Sequence, residues 1–317
     1  MEHVSRNIDA SGASMQLQSF LDLWLSTVVQ TTNSSATYRT YGNLVAQYIV
    51  PKIGEIRLKD LATSDVQRMV ADLLDKHHLS TGTVSQIRSV LRTALNAAID
   101  WKYVSHNAAN KVKLRPVERQ DIQPLTKEEV SALLFVAQGH RYEAIYWVAI
   151  GLGLRKGEIV RLRWEDIDFE QRTLKIQASK TPAGRRTLSI PEPVLGALQR
   201  HRDRQEDDKR RCGDAWVDHG LIFPRWNGEP IDEADRQISL QFKRHLDKAG
   251  VPDRRFHDLR HTCATFLIAQ NVHVRVIMAT LGHANISVTL NIYGHVLRET
   301  QEEAATQMGD LLTGLTA

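Results

Sequence analysis

Cysteine is scarce in this sequence: its 317 residues hold two, Cys212 and Cys263. They lie far apart, and neither sits in a Cys-x-x-Cys or Cys/His ligand spacing. That excludes a disulfide framework and a structural zinc, and both read as reduced thiols. Long apolar runs are lacking too. No stretch approaches the roughly 20 residues that cross a bilayer, and the opening MEHVSRNIDASGASMQ has no apolar core of signal-peptide length. The expectation is a cytoplasmic protein with no membrane partner. Asp and Glu are not clustered at metal-ligand spacing, so no metal and no cofactor is implied. Internal repeats and low-complexity tracts are absent. The net charge is only +4, but it is uneven. Residues 299–317 carry Glu299, Glu302, Glu303 and Asp310 and no Lys or Arg, which leaves the positive excess in the body of the chain. A basic body suits a polyanionic partner without proving one.

What is present reads as a globular protein of about two domains, with 42% hydrophobic and 25% charged residues. Residues 1–15 are Ser- and Gly-rich and are expected to be disordered. From Gln16, apolar residues recur at three- and four-residue spacing: Leu17, Phe20, Leu21, Trp24, Leu25 and Val28. A second helix is predicted over Thr37–Val50, stopped by Pro51 and Gly54. A third, capped by Thr63 or Ser64, carries Val66, Met69, Val70, Leu73 and Leu74. A fourth runs from about Ser80 to Ile99. Residues 16–107 therefore read as a small helical domain. Residues 108–125, with Lys111, Lys113, Arg115 and Pro116, read as a basic interdomain linker. Thr126 and Glu129 form a capping-box signature that opens a second domain over 126–298. It begins with helices Thr126–Ala137 and about Tyr142–Gly151. Short strands follow at Ile167–Phe169, Leu174–Gln177 and Thr187–Ile190, the last two flanking a turn at Thr181–Gly184. Residues 299–317 form a tail. The fold class is mainly α with a small β-hairpin or sheet.

Four segments of the second domain set polar residues among apolar neighbours. They are Gly151-Leu-Gly-Leu-Arg-Lys-Gly-Glu158, Ser179-Lys180-Thr181, His257-Asp-Leu-Arg-His-Thr262, and Leu281-Gly-His283 followed by Leu290-Asn-Ile-Tyr293. Each alone has a plain structural explanation. Arg155 could be a surface arginine at a helix start, Lys180 a hairpin lysine that keeps an edge soluble, and Tyr293 a half-buried core tyrosine. His257 and Arg260 could be a solvated helix face, and Gly282 a helix C-cap.

All four together, in this order, resemble the catalytic domain of the tyrosine recombinase (phage integrase) family. Residues 16–107 are similar to that family's core-type DNA-binding domain. The resemblance puts Arg155, Lys180, His257, Arg260, His283 and Tyr293 in the active site. The residue types suit the chemistry it implies. A phosphodiester anion resists attack by another anion, so permanently charged, bidentate Arg155 and Arg260 would clamp its non-bridging oxygens. A tyrosine hydroxyl, with a pKa of about 10, needs a base as it attacks, and His257 is the candidate. The resemblance makes Lys180 the general acid for the departing 5′-oxygen. It also has His283 hydrogen-bond the phosphate, with Glu158 orienting its neighbours. The product would be a 3′-phosphotyrosyl link to Tyr293, reversible without ATP.

Candidate DNA contacts are Arg39, Arg88 and Arg92 in the helical domain and Lys111, Lys113 and Arg115 in the linker. The implied partners are double-stranded core-type recombination sites and further copies of the chain, in a tetramer on DNA. In the tail, Met308, Leu311, Leu312 and Leu315 would cover their own domain or dock on a neighbour. About fifteen residues precede the first helix, so a small integrase without an arm-binding domain is expected. Readings that remain open are a Xer-like dimer resolvase, a topoisomerase of the same chemistry, a non-catalytic DNA-binding regulator and a metal-dependent nuclease.

Overall fold

The computed structural model describes residues 9–116, 123–177, 185–232 and 235–282, with 306, 308–310, 312, 313 and 315 in the tail. The chain divides into two compact units, Met1–Gln120 and Asp121–Ala317.

The first unit is helical. Its helix α1 spans 17–32 and buries Leu17, Phe20, Leu21 and Trp24, which lie three and four residues apart on one face. A π turn over Leu25–Val29 then rotates the stripe so that Leu25 and Val29 also face inward. Helix α2 spans 35–53, starts where Ser34 Oγ accepts the Thr37 N–H at 3.3 Å, and has its own π turn at Val45–Ile49. Pro51 was expected to stop this helix, and it does not. The π turn pairs the Val50 N–H with Val45 O, so the hydrogen-bond register has already shifted where Pro51 has no N–H to give. Trp24 stacks on Tyr41 at 5.9 Å between ring centres, joining α1 to α2.

Helices α3 (Thr63–Asp75) and α4 (Thr81–Asp100) complete the unit. The N-cap of α3 is Ala62, one residue before the expected cap, and Asp65 Oδ2 accepts its N–H at 3.0 Å. Of residues 1–15, expected to lack structure, 1–8 lie outside the described residues. Ala10–Ala13 makes one helical turn, and Gly12 sits against the Tyr103 ring so closely that a Cβ would lie 2.2 Å from it.

The chain following α4 also packs on this unit. Buried Asn107 donates to Arg92 O and Asn96 Oδ1 at 2.8 and 2.7 Å, and Ala109 and Val112 join the helical core. The Gln67 amide brackets the Lys113 peptide, accepting from its N–H at 2.9 Å and donating to its carbonyl at 3.1 Å.

The second unit is organised around an apolar helix. Helix α5 (Lys127–Ala137) begins with the expected capping box: Thr126 Oγ1 accepts from Glu129 N, and Glu129 accepts from Thr126 N. Helix α6 (Glu143–Leu152) buries Ala144, Ile145, Tyr146, Val148, Ala149, Ile150 and Leu152, so it is covered on all sides. Strands β1 (Ile167–Asp168), β2 (Thr173–Ile176) and β3 (Arg186–Ser189) make an antiparallel sheet in the order β1-β2-β3. The register pairs Leu174 with Leu188 and Ile176 with Arg186. Leu174, Ile176 and Leu188 are buried, which identifies the inward face.

Helices α7 (Glu192–Cys212) and α9 (Asp258–Ala269) flank α6, and α8 (Gln237–Lys248) packs on α5. Helix α10 (Val274–Leu281) meets α9 through Cys263, Ala264, Ile277 and Leu281. The molecule is thus mainly helical with one small sheet, in keeping with the expected fold class. No described helix is long and apolar enough to cross a membrane.

Candidate active site

Helix α6 ends at Gly153, whose φ of +63° lies in the left-handed region. A side chain there would be strained, and its Cβ would also lie 2.4 Å from Leu281 Cδ2 and 3.1 Å from Cys263 Sγ. Glycine therefore lets three elements meet. Two residues on, Arg155 is the N-cap of a one-turn helix, Lys156–Ile159. Glu158 folds back onto it: Oε2 accepts the Arg155 N–H at 2.9 Å and Oε1 accepts from Arg155 Nη1 at 3.1 Å.

Glu158 is buried, and burial alone would raise its pKa. Hydrogen bonds from Arg186 and from the Arg155 N–H, with the charges of both arginines, outweigh that and hold the carboxyl below its usual range. Arg186 was not among the residues singled out from the sequence. It donates Nη1 and Nη2 to the two Glu158 oxygens, each at 3.2 Å.

On α9, Arg260 is buried and donates Nη1 to Gly153 O at 2.7 Å and Nη2 to Leu281 O. Burial, and then the charge of Arg155, push its pKa down to about 9, which leaves it a cation at neutral pH. The helix carrying it is fixed at its start by Asp258, which accepts from Arg255 N at 2.8 Å. Thr262 ties the same helix to the start of the unit by accepting the Leu125 N–H at 2.9 Å.

His257, the N-cap of α9, has an exposed edge and packs its ring against His261 at 5.1 Å between centres. Partial burial, and then Arg260, hold His257 below the ordinary histidine pKa, so it is neutral at pH 7.

These arginines converge on one place, the C-terminal end of α10. Arg186 Nε donates to Thr280 O at 2.8 Å, Arg260 to Leu281 O, and Arg155 Nη2 to Gly282 O at 3.4 Å. The last carbonyls of a helix lack partners in the helix and carry its negative dipole end. Three guanidinium groups from separate segments satisfy them here. Gly282 ends the helix with φ +64°, as a C-cap glycine should. The structure thus brings Arg155, Glu158, His257 and Arg260 into one neighbourhood. Lys180, His283 and Tyr293 lie outside the described residues.

Comparison with known proteins gives this site its setting. Residues 123–300 match the phage integrase family, and residues 16–74 match the N-terminal SAM-like domain of phage integrases. A tyrosine recombinase described as XerC-like, from Caldanaerobacter subterraneus subsp. tengcongensis, is 30% identical, over 93% of this chain and 83% of that protein. The chain belongs to the phage integrase family. It is a tyrosine recombinase, an enzyme that cuts and rejoins DNA strands.

The ICEBs1 integrase of Bacillus subtilis is 26% identical over 84% of the chain and 77% of its own length. In fold, the chain is similar to the Tn1549 transposon integrase solved with transposon right-end DNA, at 21% identity and a TM-score of 0.75 over 92% of this chain and all of that one. It is also similar to a lambda integrase solved as a tetramer on a Holliday junction, at 20% identity and a TM-score of 0.67 over 90% of this chain and 83% of that one.

The expected DNA contacts all lie on the first unit. Arg39 is exposed on α2, and Arg92 on α4. Arg88 is half-buried and donates Nη1 to Val112 O at 2.9 Å, so part of its donor set is spent on the backbone. Lys111, Lys113 and Arg115 are exposed along the segment anchored by Asn107 and Gln67.

Proposed function

We propose that the chain exchanges DNA strands by transesterification at Tyr293, within tetramers assembled on two core-type duplex sites in the cytoplasm. The observation that carries this reading is the convergence of Arg155 and Arg260 on the last carbonyls of α10, immediately before His283 in sequence. A guanidinium has five N–H donors, and the contacts described above use two on each arginine. The contacts among the described residues thus leave donors on both for the non-bridging oxygens of a phosphodiester. Their hold strengthens as charge grows on the pentavalent phosphorus.

In the step itself, the Tyr293 oxygen forms a bond to phosphorus as its proton passes to neutral His257. The bond from phosphorus to the 5′-oxygen breaks, and Lys180 gives that oxygen a proton. His283 hydrogen-bonds the phosphate. A 3′-phosphotyrosine and a free 5′-hydroxyl result, and a 5′-hydroxyl from the partner duplex reverses the chemistry to seal the new joint. The tetramer is the state in which the lambda integrase was solved on a Holliday junction.

The role of Lys180 has a chemical test. General acid catalysis contributes about 10²–10⁴-fold. Lys180→Ala should therefore lose that much in cleavage of an ordinary phosphodiester. It should recover most of it on DNA whose 5′-bridging oxygen is replaced by sulfur, because a thiolate leaves without a proton. Equal loss on both substrates would remove Lys180 from that role.

The XerC-like relative favours a second reading, resolution of chromosome or plasmid dimers. Sequencing recombined junctions separates the two: two identical sites mean resolution, and an element–chromosome pair means integration.

A further inference from the structure

Among the described residues of the site, Arg186 carries a charge whose side chain is buried and which has no role in the chemistry above. Arg186 is the first residue of β3 and lies opposite Ile176, on the same inward face as Leu188. Its side chain is only 8% exposed. An apolar residue would fill such a position at less cost, since a buried ion pair often stabilises no better than well-packed hydrophobic groups. What an apolar residue could not supply is a rigid fork. Arg186 grips both oxygens of Glu158 and, through Nε, the carbonyl of Thr280 at 2.8 Å. Glu158 in turn holds the Arg155 backbone and guanidinium.

One planar group therefore joins three segments that each lead to a residue of the proposed active site. The β2–β3 hairpin runs to Lys180, the one-turn helix carries Arg155, and the end of α10 runs into His283. We propose that Arg186 is a positioning residue for strand cleavage, locking the Arg155 turn and the end of α10 to the hairpin. This rests on the active-site reading above. Among the described residues Arg186 acts through Glu158 and Thr280, so as a positioning residue it governs the rate of cleavage and not the affinity for DNA.

The test measures the initial rate of covalent protein–DNA adduct on randomly nicked genomic DNA of the source organism. DNA retention and Tm are recorded alongside. Arg186→Met should lower the adduct rate at least 100-fold while retention stays within threefold. Arg186→Lys keeps the charge without the fork and should recover only part of the rate. If the methionine variant does not fold, the lysine variant and a double variant carry the test.

In the double variant, Arg186→Met with Glu158→Gln, no buried carboxylate is left without a partner. It should still be at least tenfold slower than Glu158→Gln alone, because the bond from Arg186 Nε that holds the Thr280 carbonyl to β3 is then lost. A double variant as fast as Glu158→Gln would overturn the proposal and reduce Arg186 to a counter-ion. Arg186→Met or Arg186→Lys at the wild-type rate would overturn it too. If the wild type forms no adduct that Tyr293→Phe removes, the active-site reading itself has failed, which is a distinguishable result.

Discussion

At the scale of single residues, cleavage depends on the charge states of His257, at the start of α9, and Arg260 within it. Arg260 satisfies two carbonyls at once, Gly153 O and Leu281 O. Lysine has no fork to do this, so Arg260→Lys would leave a buried acceptor unpaired at a cost of about 1–3 kcal/mol. It would also lose bidentate contact with the phosphate. We expect a lower Tm and a single-turnover cleavage rate reduced about 100-fold or more. Unchanged cleavage in a folded Arg260→Lys protein would show that the guanidinium is not needed. His257 has its pKa lowered, so the neutral, proton-accepting form persists on the acid side of the usual value near 6.5. As the base, it would let cleavage fall only as pH drops through that lowered value. An acid limb centred at or above 6.5, abolished by His257→Gln, would contradict this.

At the scale of elements, the meeting of α6, α9 and α10 at Gly153 is the most exacting packing in the site. Gly153→Ala combines left-handed strain, about 1–2 kcal/mol, with a Cβ pressed on Leu281 and Cys263, about 1–3 kcal/mol more. The second unit should unfold at lower denaturant, and cleavage should fall because the Gly153 carbonyl orients Arg260. A variant with wild-type stability would mean that the three elements can part without cost.

Elements also show what the sequence disclosed and what it hid. Helix periodicity and the Thr126 capping box marked the helices well, because burial on one face leaves a repeating trace. The motif order singled out Arg155, Glu158, His257 and Arg260, which the structure brings into one neighbourhood. Arg186 escaped because the third strand was expected to begin at Thr187. Starting it one residue earlier puts Arg186 two before buried Leu188, on the inward face, where a charge would have stood out. Pro51 misled because the rule that proline ends a helix assumes an α register, and a π turn precedes it here. Residues 9–15 look disordered by composition, yet their glycine is what admits Tyr103 so closely.

At the scale of the whole molecule, acid should weaken the second unit first. Burial holds His201 and His245 neutral down to about 4 each, while in the unfolded chain both take up protons near 6.5. Their pKa values are lowered by folding, so the unfolded state binds more protons between those limits. Stability is then full above about 6.5 and falls with pH by about 1.4 kcal/mol per unit for each histidine. Chemical denaturation at stepped pH checks this; His140, His257 and His261 are lowered as well, so His201→Gln should remove one histidine's share of the slope, not all of it. A slope that His201→Gln leaves unchanged would show that His201 does not titrate this way.

DNA binding is a property of the same scale. Removing a lysine that neutralises one phosphate should flatten the dependence of log affinity on log salt by about one unit, uniformly across sequences. Lys111→Ala and Lys113→Ala are expected to do so in a filter-binding titration. No change in slope would take those lysines off the DNA.

The central claim is that Tyr293 is the nucleophile, and covalent capture tests it most directly. Wild type and Tyr293→Phe are each incubated, without metal, with sheared DNA of the source organism and denatured in detergent, and the DNA that stays attached to protein is sequenced. The account predicts adducts with the wild type alone, clustered at one sequence. Equal capture by both proteins would contradict it.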